Sequence, residues 1–503
     1  MRRRLVALDP LTAIALVLIG TVMRVSQLGP SSLWLDDAWL ALVSRADGLG
    51  EVVTVGVTAP GFAAALAAVF GVVRPSSVAA QALPFSMGVA AAPLLYLMAR
   101  RLGLGRGAAL VGAALVLAAP VHVTYSGRVK PFTADALLAA VVLFSGWRVV
   151  ERPGEGRRWG WLALVAMGSV IVSAAVATSV AAAYLAGMVA ATRGAHEGNL
   201  RPVLASVAAF TGFALVWWWA VIRPASTPSL RAYWADHYID VAAGPGETVA
   251  DLAAAVTNVL DGFSALPAVV VASLLALSVV SVVVRRPLLA VLLIGPLSVG
   301  IVLAVLEIAP LGGGRTDIHL YPSLALLVAL GVHLIGTRMS TSGAWAVPAV
   351  VLVMVAVTVR AAPPYPAEDI RPLVAMVEAE ARGDDLIVVY SASRWAYALY
   401  TSASVDLRPD GDSPNGFAVD IADPGVEVLE PRREDTDRYG PVLDRLARST
   451  TRLWLAASHM GTDVPVIERM LRDRGYEAVR TESRPGATLT LWLRGADAPG
   501  PRP

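Results

Sequence analysis

The sequence predicts a polytopic α-helical membrane protein that carries an α/β domain at its C-terminal end, and three observations predict it. First, the 503 residues are 56% hydrophobic and 16% charged, and the mean hydropathy is +0.62, well above that of a globular domain in water. Second, apolar runs of about 18 to 22 residues, the length that crosses a hydrocarbon core, alternate with short arginine-rich loops. Third, the composition shifts after Arg360, where Pro363, Pro364 and Pro366 form a linker and the apolar runs stop. Residues 1–360 are therefore read as a membrane domain and 361–503 as a separate domain. A net charge of +2, with basic residues scattered through loops, offers no stripe for nucleic acid. With no cysteine in the chain, disulfides and thiolate metal sites do not arise.

Each element follows from the apolar pattern and from placing the arginine loops inside. Arg2, Arg3 and Arg4 precede the run 11–28, which is long for a signal peptide's apolar region and is read as a retained first span leaving the cytoplasm. The loop that follows, with Asp36 and Asp37, then lies outside. The run 57–73 would put Arg100, Arg101 and Arg106 outside if it crossed, so it is expected to be an interfacial or re-entrant helix, with Pro60 near its start. Spans are expected at 78–99, 107–125 and 133–150. The stretch 161–191 is too long for one crossing and has charged loops at both ends, so it reads as a helical hairpin. Further spans fall at 203–221, 266–284, 288–306, 320–335 and 344–359, with polar outer segments at 223–263 and 307–321. The total of about eleven puts the N-terminus in the cytoplasm and the C-terminal domain outside the plasma (inner) membrane. In that domain AEDIRPLVAMVEAEA and VPVIERMLRDRGY read as helices, and DDLIVVY, TRLWLAAS and ATLTLWLR as strands.

Three outer segments, far apart in sequence, carry ionisable groups beside apolar spans, where charge is expensive and marks a site. They are Asp36 and Asp37 between Trp34 and Trp39; Tyr125, Arg128 and Lys130 in YSGRVKPF; and Arg315, Asp317 and His319 in GGGRTDIHLYPS. Lys130 is the single lysine among 41 basic residues, in a chain that otherwise uses arginine for every positive charge. Guanidinium forks and a lysine point charge suit a lipid phosphate, and a carboxylate suits proton removal from an attacking hydroxyl. The candidate roles are therefore Asp36 and Asp37 as catalytic carboxylates, Lys130, Arg315 and Arg128 on a lipid phosphate, and Tyr125, Asp317 and His319 as substrate contacts. No cofactor is expected; a divalent metal on His122 and His319 with one of the aspartates is the alternative.

These motifs resemble those of the GT-C superfamily of integral-membrane glycosyltransferases, which includes protein O-mannosyltransferases and aminoarabinose transferases. WLDDAW resembles the superfamily's acidic motif in the first outer loop, with Asp37 where Glu is usual. YSGRVKPFTADALL resembles a Tyr-Ser-x-x-x-Lys-Pro-Tyr pattern of bacterial members, and GGGRTDIHLYPSLALL their Gly-Arg-x-x-x-x-Leu-x-Pro outer turn. TAPGF lacks the His-Pro-Pro or Lys-Pro-Pro element some members have. The resemblance covers the layout of residues 1–360. It implies transfer of a sugar from a polyprenyl-phosphate donor, at the outer face, to a glycan, lipid or protein acceptor of the envelope, with Asp36 as base and Lys130 and Arg315 on the phosphate. Two other readings stand beside it: a transporter or flippase for a lipid-linked sugar that uses the same cations as a binding site, and a non-catalytic assembly subunit whose outer α/β domain binds cell-wall components.

Overall fold

The computed structural model describes residues 2–29, 31–46, 48–54, 59–193, 200–226, 228–264, 266–338, 343–358, 368–410, 417–429, 439–461 and 463–495. The proline linker at 363–366 lies outside them. The chain forms two compact units: Met1–Leu28, Gly56–Ala65 and Gln81–Pro364 in the first, and Gly29–Val55, Leu66–Ala80 and Tyr365–Pro503 in the second.

The first unit is a helix bundle, and the protein is an integral membrane protein. Eight helices among the described residues are long and apolar enough to cross a bilayer, and nine if Arg106–Ala118 and Pro120–Gly127, bent by 56°, count as one. The expected hairpin is present as helices Gly156–Val172 and Ala177–Arg193, broken at Ser173. Its first arm, at 17 residues, and the final helix Gly343–Thr358, at 16, are shorter than the crossing length used above. That shortness separates the count of about eleven from the structure's eight or nine. The helix Pro60–Val72, at 13 residues, is likewise shorter than a crossing. Leu204, Leu215 and Val284 are 66%, 65% and 76% exposed, an outward apolar surface that lipid rather than water would cover.

The bundle's two ends differ chemically. At one, Asp9 accepts hydrogen bonds from Tyr96 Oη (2.8 Å) and Arg106 Nε (3.2 Å) and pairs with Arg100. Arg286 Nη1 reaches Leu102 O, and Gly105 N donates to His333 Nδ1. The chain start and the 100–106 and 285–286 loops are thus tied together. The other end holds the YSGRVKPF and GGGR segments. The outer stretch read as a polar loop, 223–263, is largely helical: Pro245–Phe263 runs 19 residues, begun by Pro245 at its first turn.

The second unit is α/β. Strands β1 (Leu386–Val389), β2 (Val405–Pro409), β3 (Phe417–Ile421), β4 (Val426–Val428), β5 (Arg452–Ser458), β6 (Tyr476–Arg484) and β7 (Ala487–Arg494) form a five-stranded sheet of order β4-β1-β5-β7-β6 and the hairpin β2-β3. β1 pairs in parallel with β4 and β5, whereas β7 is antiparallel to β5 and β6. Central β5 is apolar from Leu453 to Ala457 and buried from Leu453 onward, as a strand covered on both faces must be. Helices Tyr439–Ser449 and Asp463–Asp473 close the core through Leu443, Leu446, Ile467 and Leu471 against Leu455 and Trp492.

Candidate active site

The candidate cations belong to the first unit. The bend at Ala119 turns the chain into the short helix Pro120–Thr124 and the 3-10 turn Tyr125–Gly127. Arg128 is then extended, and Pro131 starts the next span, Phe132–Glu151. This geometry sets the Tyr125 ring edge-on to Phe132 at 5.0 Å. The Arg128 guanidinium carbon lies 6.0 Å over the Tyr125 ring. Arg128 and Lys130 are only 7% and 9% exposed, so both charges are held in the protein rather than left to extend into water.

The GGGR turn is built by glycine and aspartate. Gly312 and Gly314 have φ of 80° and 70°, a left-handed backbone that L side chains disfavour. Asp317, fully buried, takes both of their amides: Oδ1 accepts from Gly312 N at 3.1 Å and Oδ2 from Gly314 N at 2.8 Å. Asp317 is thereby a brace for the turn. Arg315 leaves this turn into a box of three rings, its guanidinium carbon 6.0 Å from Phe132, 5.9 Å from Tyr233 and 5.3 Å from Trp234. Its Nη2 donates to Tyr233 Oη at 3.1 Å. His319 Nδ1 donates to Thr316 O at 2.8 Å.

Arg128 and Arg315, 187 positions apart in the chain, are therefore linked through one ring pair, Tyr125 and Phe132. Sequence reading brought Tyr125, Arg128 and Arg315 forward but missed Phe132, Tyr233 and Trp234. An aromatic-rich outer loop beside a lone arginine was the signal for the last two, because Arg is the cation that stacks on rings.

The candidate acids belong to the second unit. Asp36 and Asp37 are the second and third residues of the helix Leu35–Val43, where carboxylates interact favourably with the helix dipole. Asp37 is fully buried and Asp36 half-buried. Trp34, the N-cap, supplies no side-chain cap. The amides ahead of the acids go instead to the C-terminal segment: Ser32 N to Asp369 Oδ1 (3.0 Å), Leu33 N to Tyr400 Oη (2.8 Å) and Leu35 N to Glu368 Oε2 (3.0 Å).

His122 is buried in the bundle, its Nδ1 3.1 Å from Arg24 Nη2. Among the described residues, no group of three or more His, Asp or Glu is arranged to hold a metal ion.

The fold is shared with solved structures of ArnT and of an archaeal oligosaccharyltransferase. The chain is similar to ArnT from Cupriavidus metallidurans in the apo state, with a TM-score of 0.58 at 12% identity over 99% of this chain and 100% of that one. ArnT bound to undecaprenyl phosphate gives 0.59 at 12% identity over 100% of both chains. The apo oligosaccharyltransferase of Archaeoglobus fulgidus gives 0.51 at 10% identity, over 90% of this chain and 69% of that one. No family model and no curated protein sequence matches.

Proposed function

We propose that the protein is a glycosyltransferase that moves a sugar from a polyprenyl-phosphate donor to a hydroxyl of a cell-envelope acceptor at the outer face of the membrane. The observation that carries this reading is the paired cation site, in which Arg128 and Arg315 share the Tyr125–Phe132 ring pair beside the buried Lys130. Three positive charges kept among rings and apolar helices suit an anion that arrives in the membrane on its own hydrocarbon tail. That one neighbour of the same fold was crystallised with undecaprenyl phosphate supports the same class of donor.

In this reading the acceptor oxygen attacks the anomeric carbon. The bond from that carbon to the phosphate oxygen breaks, and its electron pair leaves with the polyprenyl phosphate, whose charge Lys130, Arg128 and Arg315 balance. The acceptor proton passes to a carboxylate of the Asp36–Asp37 pair. Asp36 suits the base better, because it is half-exposed where Asp37 is enclosed. Tyr125 and His319 act as substrate contacts, and Asp317 serves the donor site through the turn that carries Arg315. The linked loops of the Asp9 end carry Arg100, Arg106 and Arg286; the positive-inside tendency puts them in the cytoplasm and the C-terminal domain outside the plasma membrane.

The test is incubation of the purified protein with a panel of polyprenyl-phosphate sugars and envelope acceptors, scored for loss of donor. Wild type consumes donor, and Asp36→Asn lowers turnover by about 10³-fold while folding normally. A wild-type protein that consumes none of the donors with any acceptor overturns the reading.

A further inference from the structure

Resting on that reading, we propose that Glu368, with His459 behind it, is a positioning residue for the aspartate pair, so that the C-terminal domain takes part in the chemistry as well as in any capture of acceptor. The helix Leu35–Val43 lacks a cap of its own, and the first amides of a helix need acceptors. Glu368 Oε2 takes the amide of Leu35, the residue directly before Asp36. Its other oxygen, Oε1, accepts from His459 Nδ1 at 2.7 Å. The His459 ring meets Trp34, the N-cap residue, edge-on at 5.3 Å. One carboxylate and one imidazole thus hold both sides of the helix start.

The backbone at His459 points the same way. Its φ is 49°, a left-handed conformation that a non-glycine residue holds only when its surroundings impose it. That strained turn at the end of β5 is what carries the imidazole to Glu368 and Trp34. The clamp is continued by Asp369, which accepts from Ser32 N and Ser32 Oγ, and by Ser32 Oγ in turn, which accepts from Arg371 N. At the far end Arg45 Nη1 donates to Leu399 O, and Trp39 stacks on Phe417 at 6.1 Å. Glu368 reaches no reacting atom in this scheme; it sets the angle at which the aspartates are presented. A displacement of about 1 Å at a catalytic group is enough to lower turnover by about 100-fold.

The experiment uses the full-length protein in lipid nanodiscs, as wild type, Glu368→Ala, Glu368→Gln and His459→Gly, with two readouts. Hydrogen exchange of the peptide covering 33–42 reads the clamp directly. Exchange near Leu35 is expected to rise about fivefold in Glu368→Ala, the effect of a lost helix cap, and to stay near wild type in Glu368→Gln, which keeps an acceptor for the Leu35 amide. His459→Gly is expected to raise exchange as well, although glycine relieves the φ strain. Donor kinetics read the consequence: kcat falls about 10- to 100-fold in Glu368→Ala with donor KM within about twofold, and the Gln variant recovers most of it. Unchanged exchange in both Glu368→Ala and His459→Gly overturns the proposal, and so does a Glu368→Ala protein with wild-type kcat. If wild type consumes no donor, the transferase reading fails by itself, and the exchange measurement still decides whether Glu368 holds the helix.

Discussion

Replacing Arg315 with lysine isolates what the three-ring box and the fork contribute to donor binding. Lysine keeps the charge and part of the attraction to Phe132, Tyr233 and Trp234, but it has one donor centre where arginine has a planar fork. Two interactions go. The hydrogen bond from Nη2 to Tyr233 Oη, 3.1 Å long, contributes about 1 kcal/mol. In the proposed donor complex the second strand of a bidentate phosphate contact would be charge-assisted, and its loss adds about 1.5 kcal/mol. The sum, about 2.5 kcal/mol, corresponds to a donor KM raised by roughly 60-fold, with kcat little changed if the group binds ground and transition states alike. Tyr233→Phe removes only the hydroxyl and leaves the ring under Arg315, so it should raise KM about fivefold. The assay is donor titration at saturating acceptor. An Arg315→Lys protein whose donor KM stays within twofold of wild type would refute the assignment of this guanidinium to the phosphate, however the fold responds.

Asp317→Asn leaves one carbonyl oxygen where two carboxylate oxygens held Gly312 N and Gly314 N; the turn should lose about 1 to 2 kcal/mol, seen as a lower melting temperature together with a raised donor KM. Gly127→Ala would place a Cβ 2.1 Å from Gln27 O and 2.8 Å from Gln27 C, backbone atoms that cannot step aside; destabilisation of about 3 kcal/mol or more is expected, read as loss of folded protein after detergent extraction. Burial raises the Tyr397 phenol above its ordinary value, reinforced by Glu378 and Asp423, and burial with the Asp463 charge does the same for Tyr439. Because these groups resist ionisation only in the folded state, their contribution is complete below pH 10 and is lost as pH rises from there. The C-terminal domain should therefore unfold in alkali with tyrosinate absorbance rising in step with loss of near-UV circular dichroism, and Tyr397→Phe should move that transition to higher pH.

What the sequence revealed was whatever a local pattern encodes. The apolar runs are one-dimensional signals, so most span positions could be read from them, and LIVV, RLWLAAS and ATLTLWLR announce strands by composition alone. The ring box was not legible, because Tyr233 and Trp234 meet an arginine more than 80 positions away and nothing local says which loop they will face. β6, YEAVRTESR, was missed for another reason: it is an edge strand, and edges are kept charged to discourage further pairing. The capping of the aspartate helix also escaped, since helix signals are sought within the segment and here the acceptors, Glu368, Asp369 and Tyr400, come from more than 330 positions downstream.

The broken span shows how one residue that reads as an ordinary apolar-helix arginine can shape the cation site. A helix that stops at Ala118 leaves its last carbonyls without partners, and at membrane depth water is not there to take them. Arg24, fully buried, sends Nη2 to Leu117 O at 2.9 Å, while His122 Nδ1 lies 3.1 Å from Val116 O. The same guanidinium donates through Nε to Ser126 Oγ at 3.0 Å, and Ser126 Oγ donates on to His122 O. The bend is thus satisfied from inside the protein, by a side chain of the first span. The consequence runs into the site: with Ser126 tethered to Arg24 and Gly127 pressed against Gln27 O, the turn that aims Tyr125 and Arg128 has its position set by the first helix rather than by the span it interrupts.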